Sequence, residues 1–317
     1  MIKGLRFAYW LGFGLLLVAC EPVTQSPARN HMPQRNGFGQ PIGGGMNQMT
    51  AVADIPQTQP PEVFAESAMV VDINRGRVLY AKNIDQRRAV ASTQKIITAL
   101  CVLDAGNLDK KVRIAASDGR CEPTKLGLKA GETYSRRQLL EVLMVKSAND
   151  VARALARDIA GSQVAFQRMM NQKCAQLGMR NSYFKNPHGL TEPGQYSTAR
   201  DIAIAAVAAY RQPAIRKMIN TMELTFRHND GRTQTLTNTN KILKTLPYCN
   251  GMKTGTTRAS GRCLVATASL RGRDVLTIVL KSNSRHVWND STKLLRWALE
   301  RPLPGFSYND APSTPGT

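Results

Sequence analysis

Ala91-Ser92-Thr93-Gln94-Lys95-Ile96-Ile97-Thr98-Ala99-Leu100 places a hydroxyl and an amine three residues apart at the head of an apolar, periodic run. The run continues through Cys101 and Leu103 until Gly106-Asn107 stops it, so the spacing predicts a helix opening at Ser92. Residues three apart on a helix lie about 5–6 Å apart at Cβ, close enough for a neutral Lys95 to take the Ser92 proton. A helix start would also offer free amides and a dipole to an oxyanion. Ser-x-x-Lys alone is a weak signal. Ser182-Tyr183-Phe184-Lys185 repeats it, but between Gly178 and Asn186-Pro187, where no helix is expected.

Upstream, Ala68–Ile73 and Arg77–Ala81 flank Asn74-Arg75-Gly76 and read as a β-hairpin. Downstream the pattern turns helical: a helix capped by Ser135, then Val151–Ile159, Val164–Leu177 ended by Gly178, and Thr198–Tyr210. Strands return at Glu223–His228 and Gln234–Asn238 around Asn229-Asp230-Gly231, and at Arg262–Leu270 and Asp274–Leu280 around Arg271-Gly272-Arg273. Trp288–Leu299 closes as an amphipathic helix. Strands at both ends and helices between them imply an α+β fold: a mostly antiparallel sheet flanked by helices, its first hairpin paired with the last strands, around an all-helical insert.

The chain has 317 residues and a net charge of +21. Such charge first suggests nucleic acid, and equally an anionic membrane or cell wall. The amino terminus separates these. Lys3 and Arg6 precede an uncharged run, Phe7–Ala19, too short for the ~20 residues of a membrane-spanning helix but proportioned like a secretory signal. It ends in Leu17-Val18-Ala19-Cys20, which looks like a bacterial lipobox with Cys20 as the lipidated residue. Residues 21–61 hold seven prolines and a glycine cluster at Gly37–Gly45 and read as a disordered tether, reaching about 35 Å as a flexible coil. The expected organisation is a signal peptide over 1–20, a tether over 21–61, a catalytic domain over 62–301 and a loose tail over 302–317. Residues 62–317 keep 39 Lys plus Arg against 20 Asp plus Glu, so the exported part carries +19 and a nucleic-acid partner is not expected. With Cys20 lipidated, Cys101, Cys121, Cys174, Cys249 and Cys263 allow at most two disulfides.

Two further motifs follow the first. Ser147-Ala148-Asn149 lies between two expected helices, where serine and asparagine serve by default as caps, and Ser307-Tyr308-Asn309 has the same form. Lys253-Thr254-Gly255 precedes the last strand pair; a phosphate loop would need glycine directly before the lysine, and Met252 stands there. In order, Ser-x-x-Lys, Ser-x-Asn 55 residues on and Lys-Thr-Gly 106 further resemble the active-site serine penicillin-recognising enzymes. Asn149-Asp150-Val151-Ala152, Asn186-Pro187-His188-Gly189-Leu190 and Ser197-Thr198-Ala199-Arg200-Asp201 narrow the likeness to the D-alanyl-D-alanine carboxypeptidases, from about Ala65 to Leu299.

The resemblance implies a β-lactamase/DD-peptidase-like fold, no cofactor, and peptidoglycan stem peptides and β-lactam antibiotics as partners. It makes Ser92 the nucleophile, Lys95 its base, with a pKa lowered by burial and Lys253, and Ser147 the relay to the leaving amine. Asn149 would hold the substrate backbone, Lys253 and Thr254 with Gly255 the terminal carboxylate, and the amides of Ser92 and Thr256 the oxyanion. Two departures stand out. Many relatives carry a C-terminal β-domain and amphipathic membrane helix, whereas eighteen residues follow Leu299 here and Cys20 would anchor the opposite end. Thr256 stands where several such carboxypeptidases have histidine, which bears on substrate preference and deacylation.

Alternatives are a DD-endopeptidase acting on cross-links, a serine β-lactamase, and a non-catalytic wall-peptide sensor. Class A β-lactamases use a glutamate in a Glu-x-x-Leu-Asn segment, and neither Glu192 nor Glu223 has that context. His31, His188, His228 and His286 are scattered, so no metal site is expected.

Overall fold

The computed structural model describes residues 59–300, and the features expected at 1–58 and 301–317, Cys20 included, lie outside them. The first hairpin forms as read, β1 (Ser67–Asp72) and β2 (Arg77–Lys82). A 3-10 turn, Ala91–Gln94, leads into α1 (Lys95–Asp104). The insert then runs through β3 (Lys111–Arg113), β4 (Thr133–Ser135), α2 (Arg136–Val145), α3 (Asn149–Ala160), α4 (Gln163–Leu177), α5 (Ala199–Tyr210) and α6 (Pro213–Ile219). It continues with β5 (Glu223–Arg227), β6 (Thr233–Thr237) and α7 (Ile242–Thr245); β7 (Cys249–Thr257), β8 (Gly261–Leu270), β9 (Arg273–Ser282) and α8 (His286–Leu299) complete the fold.

The main sheet is antiparallel throughout, in the order β2-β1-β9-β8-β7, so the opening hairpin joins the closing strands as expected. The insert is not wholly helical. β3–β4 and β5–β6 form two ribbons, each paired only within itself. The short β3 and β4 carry too few residues for an alternating pattern to show.

Local signals account for the helix ends. Ser135 accepts from the Gln138 amide while Gln138 Oε1 accepts from the Ser135 amide, a reciprocal capping box opening α2. Thr198 Oγ1 caps α5 through the Asp201 amide, and Gly178 ends α4 in the left-handed conformation.

Alternation along the strands splits the core. Cys263, Val265, Leu276 and Ile278 face the insert helices, whereas Leu264, Ala266, Val275 and Val279 face α8, where Leu294, Leu295 and Ala298 are buried. The five described cysteines are all buried free thiols, so none of the permitted disulfides forms. Among the described residues no helix is long and apolar enough to cross a membrane.

Candidate active site

Ser92 sits in the 3-10 turn before α1, and Lys95 is the first residue of that helix. Ala91 holds φ +49°, a left-handed conformation that costs a non-glycine residue about 1–3 kcal/mol and persists only where the surroundings enforce it. The enforcing neighbour is the Asn186–Leu190 turn. Gly189 lies so close that a Cβ there would come within 2.2 Å of the Ala91 carbonyl oxygen, and its φ of +89° also suits glycine. Gln94 Nε2 donates to the Asn186 carbonyl at 2.5 Å and Thr98 Oγ1 to the Pro187 carbonyl at 2.7 Å, locking turn and helix together.

Lys95 is fully buried, and its Nζ has three neighbours: Ser92 Oγ at 2.8 Å, Asn149 Oδ1 at 2.7 Å and the His188 carbonyl oxygen at 2.6 Å. Burial, then the nearby Lys253 charge, hold its pKa well below that of an ordinary lysine. A neutral amine has two N–H bonds and one lone pair. Asn149 Oδ1 and the His188 carbonyl can only accept, so a neutral Lys95 can donate its two N–H bonds to them and turn its lone pair toward the Ser92 hydroxyl, which in the structure also lies 3.2 Å from the His188 carbonyl. Such an arrangement can make Lys95 a base toward Ser92.

Asn149 thus lies against the Lys95 amine, a contact that the sequence did not lead us to expect. His188 was missed as a contributor because its part is played by a backbone carbonyl. Its ring is buried, and burial with the Lys95 charge pushes its pKa down to about 3, so it stays neutral. Asp150, also unassigned, accepts from the amides of Leu126, Gly127, Leu128 and Val151, fixing the preceding loop, where the Thr124 carbonyl takes the Asn149 amide.

Ser147 occupies the α2–α3 turn at φ +67°, its Oγ buried without a hydrogen-bond partner among the described residues. Lys253, Thr254, Gly255 and Thr256 lie within edge strand β7, not in a turn before the sheet. The register pairs Lys253 with Val265 and Gly255 with Cys263, on the insert face, and Thr254 with Leu264 and Thr256 with Arg262, on the α8 face. Gly255 is needed because a Cβ there would lie 2.9 Å from the Ser92 nitrogen and 2.9 Å from the Val90 carbonyl. Lys253 is 1% exposed, its Nζ donates to the Thr254 carbonyl, and burial brings its pKa to about 7.

A cleft of about 700 Å³ opens along the β7 edge, lined by Ser92, Ser147, Thr254 and Thr256 and bounded by Val287 and Trp288 of α8. Lys146, Lys241, Lys244 and Arg262 line it, and among the described residues no Asp or Glu does. Glu192 and Glu223 are exposed outside it. Among the described residues no group of His, Cys, Asp and Glu could hold a metal.

The sequence pattern of the D-alanyl-D-alanine carboxypeptidase family matches residues 54–284. The chain belongs to that family. D-alanyl-D-alanine carboxypeptidase DacF of Bacillus subtilis is 35% identical over 245 residues, 75% of this chain and 62% of its own length. A D-alanyl-D-alanine endopeptidase of Pseudomonas aeruginosa is 34% identical over 77% of this chain and 80% of its own length. Among solved structures, a D-alanyl-D-alanine carboxypeptidase of Mycobacterium tuberculosis superposes at a TM-score of 0.74, with 28% identity, covering 79% of this chain and 97% of that one. The Streptomyces K15 DD-transpeptidase gives 0.72, with 30% identity over 76% and 98% of the two chains. The chain thus spans less than two thirds of the Bacillus carboxypeptidase but nearly all of these two solved family folds.

Proposed function

We propose that this family member is a serine-type D-Ala-D-Ala carboxypeptidase acting on peptidoglycan stem peptides, with penicillins as acylating inhibitors. The observation that carries it is Lys95: a fully buried amine with its Nζ 2.8 Å from Ser92 Oγ, in hydrogen-bond contact with Asn149 Oδ1 and the His188 carbonyl, and a pKa held well below that of an ordinary lysine. Ser92 Oγ attacks the carbonyl carbon of the penultimate D-alanine as its proton passes to Lys95 Nζ. The amides of Ser92 and Thr256, drawn together by the close approach of Gly255, receive the oxyanion. The C–N bond to the terminal D-alanine breaks as Ser147 relays a proton to the leaving amine. Water then cleaves the Ser92 ester.

Among the described residues no carboxylate lines the cleft to activate that water, which favours a long-lived acyl-enzyme over β-lactamase turnover. Endopeptidase action on cross-links uses the same chemistry with a larger leaving group, and a relative of that name matches this chain over most of its length. Peptide mapping after benzylpenicillin treatment is expected to find one adduct, on Ser92, and a D-Ala-D-Ala pentapeptide to lose D-alanine unless Ser92 is replaced by alanine. Rapid penicillin turnover would favour a β-lactamase, and peptide binding without D-alanine release a sensor.

Attachment through a lipidated Cys20, facing the periplasm or cell wall, belongs to the same proposal and rests on the Leu17–Cys20 sequence. Palmitate labelling that survives in Cys20→Ser would reject it.

A further inference from the structure

A second pocket, of about 440 Å³, opens between the two ribbons of the insert, lined by Lys111 and Thr133 of β3–β4, Gln138 of α2, and Arg227, His228 and Asn229 at the β5–β6 turn. Its volume falls within the roughly 300–1,000 Å³ of small-molecule sites. His228 is 2% exposed, yet neither ring nitrogen has a hydrogen-bond partner among the described residues, whereas buried polar groups are almost always paired. Its ring lies edge-on to Phe226 at 5.1 Å, and Phe226 packs against Tyr134 at 5.0 Å, so packing and not hydrogen bonding positions it. The ribbons are tied together beside it: Asn229 Oδ1 accepts from the Thr133 amide at 2.6 Å, and Tyr134 Oη accepts from the Asn229 amide at 3.2 Å. Gln138 Oε1 is likewise engaged by the Ser135 amide.

These bonds consume acceptors and leave donors. Asn229 and Gln138 keep their side-chain NH2 groups, a histidine ring carries at least one N–H in either charge state, and Lys111 and Arg227 are exposed cations. Among the described residues no Asp or Glu lines the pocket, and the acids nearby are engaged elsewhere: Asp109 with Arg137, Asp230 with Lys129 and Arg232, and Glu132 Oε2 with the Lys129 amide. We infer that this pocket is a binding site for an oxyanion, a carboxylate or phosphate group, held by Lys111 and Arg227 with the His228 ring N–H at its base. Cations and neutral donors without a competing acid select a ligand that only accepts, and the bonded ribbons hold the site ready before it arrives. The β5–β6 ribbon joins this site to the cleft. Thr237 lines the cleft, and Thr233, paired with Arg227, lies four residues away, about 13 Å along an antiparallel strand. An extended five-residue peptide spans about 17 Å, enough to reach from one to the other. The ligand is therefore either free phosphate or a carboxylate of a wall peptide, which share this chemistry.

The test titrates the full chain, isotope-labelled at histidine, with sodium phosphate and with the dipeptide N-acetyl-L-alanyl-D-glutamate, at constant ionic strength set by sodium chloride. The His228 ring signal, identified by its magnetic contact with the Phe226 ring, is expected to move saturably with at least one of the two and to stay in place with chloride alone. Movement with phosphate alone identifies a phosphoryl ligand, and movement with the dipeptide a peptide carboxylate; both support the site. Replacing Lys111 and Arg227 together by glutamine should weaken the response about tenfold or more, the loss expected for charge-assisted contacts, while the His188 signal at its wild-type position shows that fold and cleft are intact. No movement with either anion, or undiminished affinity in the double variant, would overturn the assignment. Movement of the His188 ring in place of His228 would put the anion in the cleft and overturn it equally. No part of the test uses catalysis, so its failure leaves the peptidase reading standing.

Discussion

In the proposed mechanism Lys95 works only while uncharged, so the surroundings of one nitrogen would set the pH range of acylation. Below its folded pKa the amine holds a third proton, its lone pair is lost and Ser92 has no base; acylation therefore falls as pH falls. Burial is the larger cause of the lowered pKa and the Lys253 charge the second. Lys253→Gln removes that second cause, so Lys95 should bind its proton more readily and the acidic limb of the benzylpenicillin acylation profile should move to higher pH. An unmoved limb would show that Lys253 does not act on the base. The Ser-Lys pair was legible because a hydroxyl and an amine three residues apart at a helix start need only local spacing. The His188 carbonyl was not, because any residue can supply a backbone oxygen and only tertiary contact decides which one does.

The largest omission was of an element. Cys249-Asn250-Gly251-Met252-Lys253-Thr254-Gly255-Thr256-Thr257 is poor in β-branched and aromatic residues until its end and holds two glycines, so the sequence assigns no strand there. It is nonetheless an edge strand, where one side of the ladder is free and packing demands are halved. Gly255 weakens strand propensity in exchange for contact with the nucleophile turn. Gly255→Ala should push β7 away from Ser92 and slow acylation by a chromogenic β-lactam by about 10²-fold, a typical cost of misplacing reacting groups by an ångström. A thermal melt within a few degrees of wild type would assign the loss to geometry and not to unfolding; acylation at the wild-type rate would remove the claim. By contrast Ser135 announced α2 correctly, because a cap and the amide it binds lie within four residues. Ser135→Ala should cost about 1 kcal/mol of stability, seen in denaturant titration, with acylation unchanged.

Residues 62–317 carry +19, and among the described residues the cleft is lined by cations and by no acid. Fields of this kind gather anionic polymer but fade beyond a Debye length, about 10 Å at 0.1 M salt and 3 Å at 1 M. D-alanine release from isolated sacculi should fall severalfold over that range, while turnover of a carboxylate-free thioester stays nearly level; salt-insensitive release from sacculi would leave the charge without this role. The α+β class and the joining of first and last strands were readable from periodicity, since a buried sheet needs its alternation wherever its strands lie. The division of the cleft between two faces of β7 was not, because it depends on register, and a one-residue slip would exchange Lys253 and Thr254 between faces.

The same sheet sets a timetable for folding. β1 lies between β2 and β9, and its register pairs Ser67 with Leu280, more than 200 residues later. Until β9 is available, the fully buried β1 has only its hairpin partner, and two strands alone are marginal in water. So distant a closure is entropically slow. The sheet therefore should not close until β9, Arg273–Ser282, is available, and the nucleophile turn, wedged between the Gly189 loop and β7, should be among the later features to assemble.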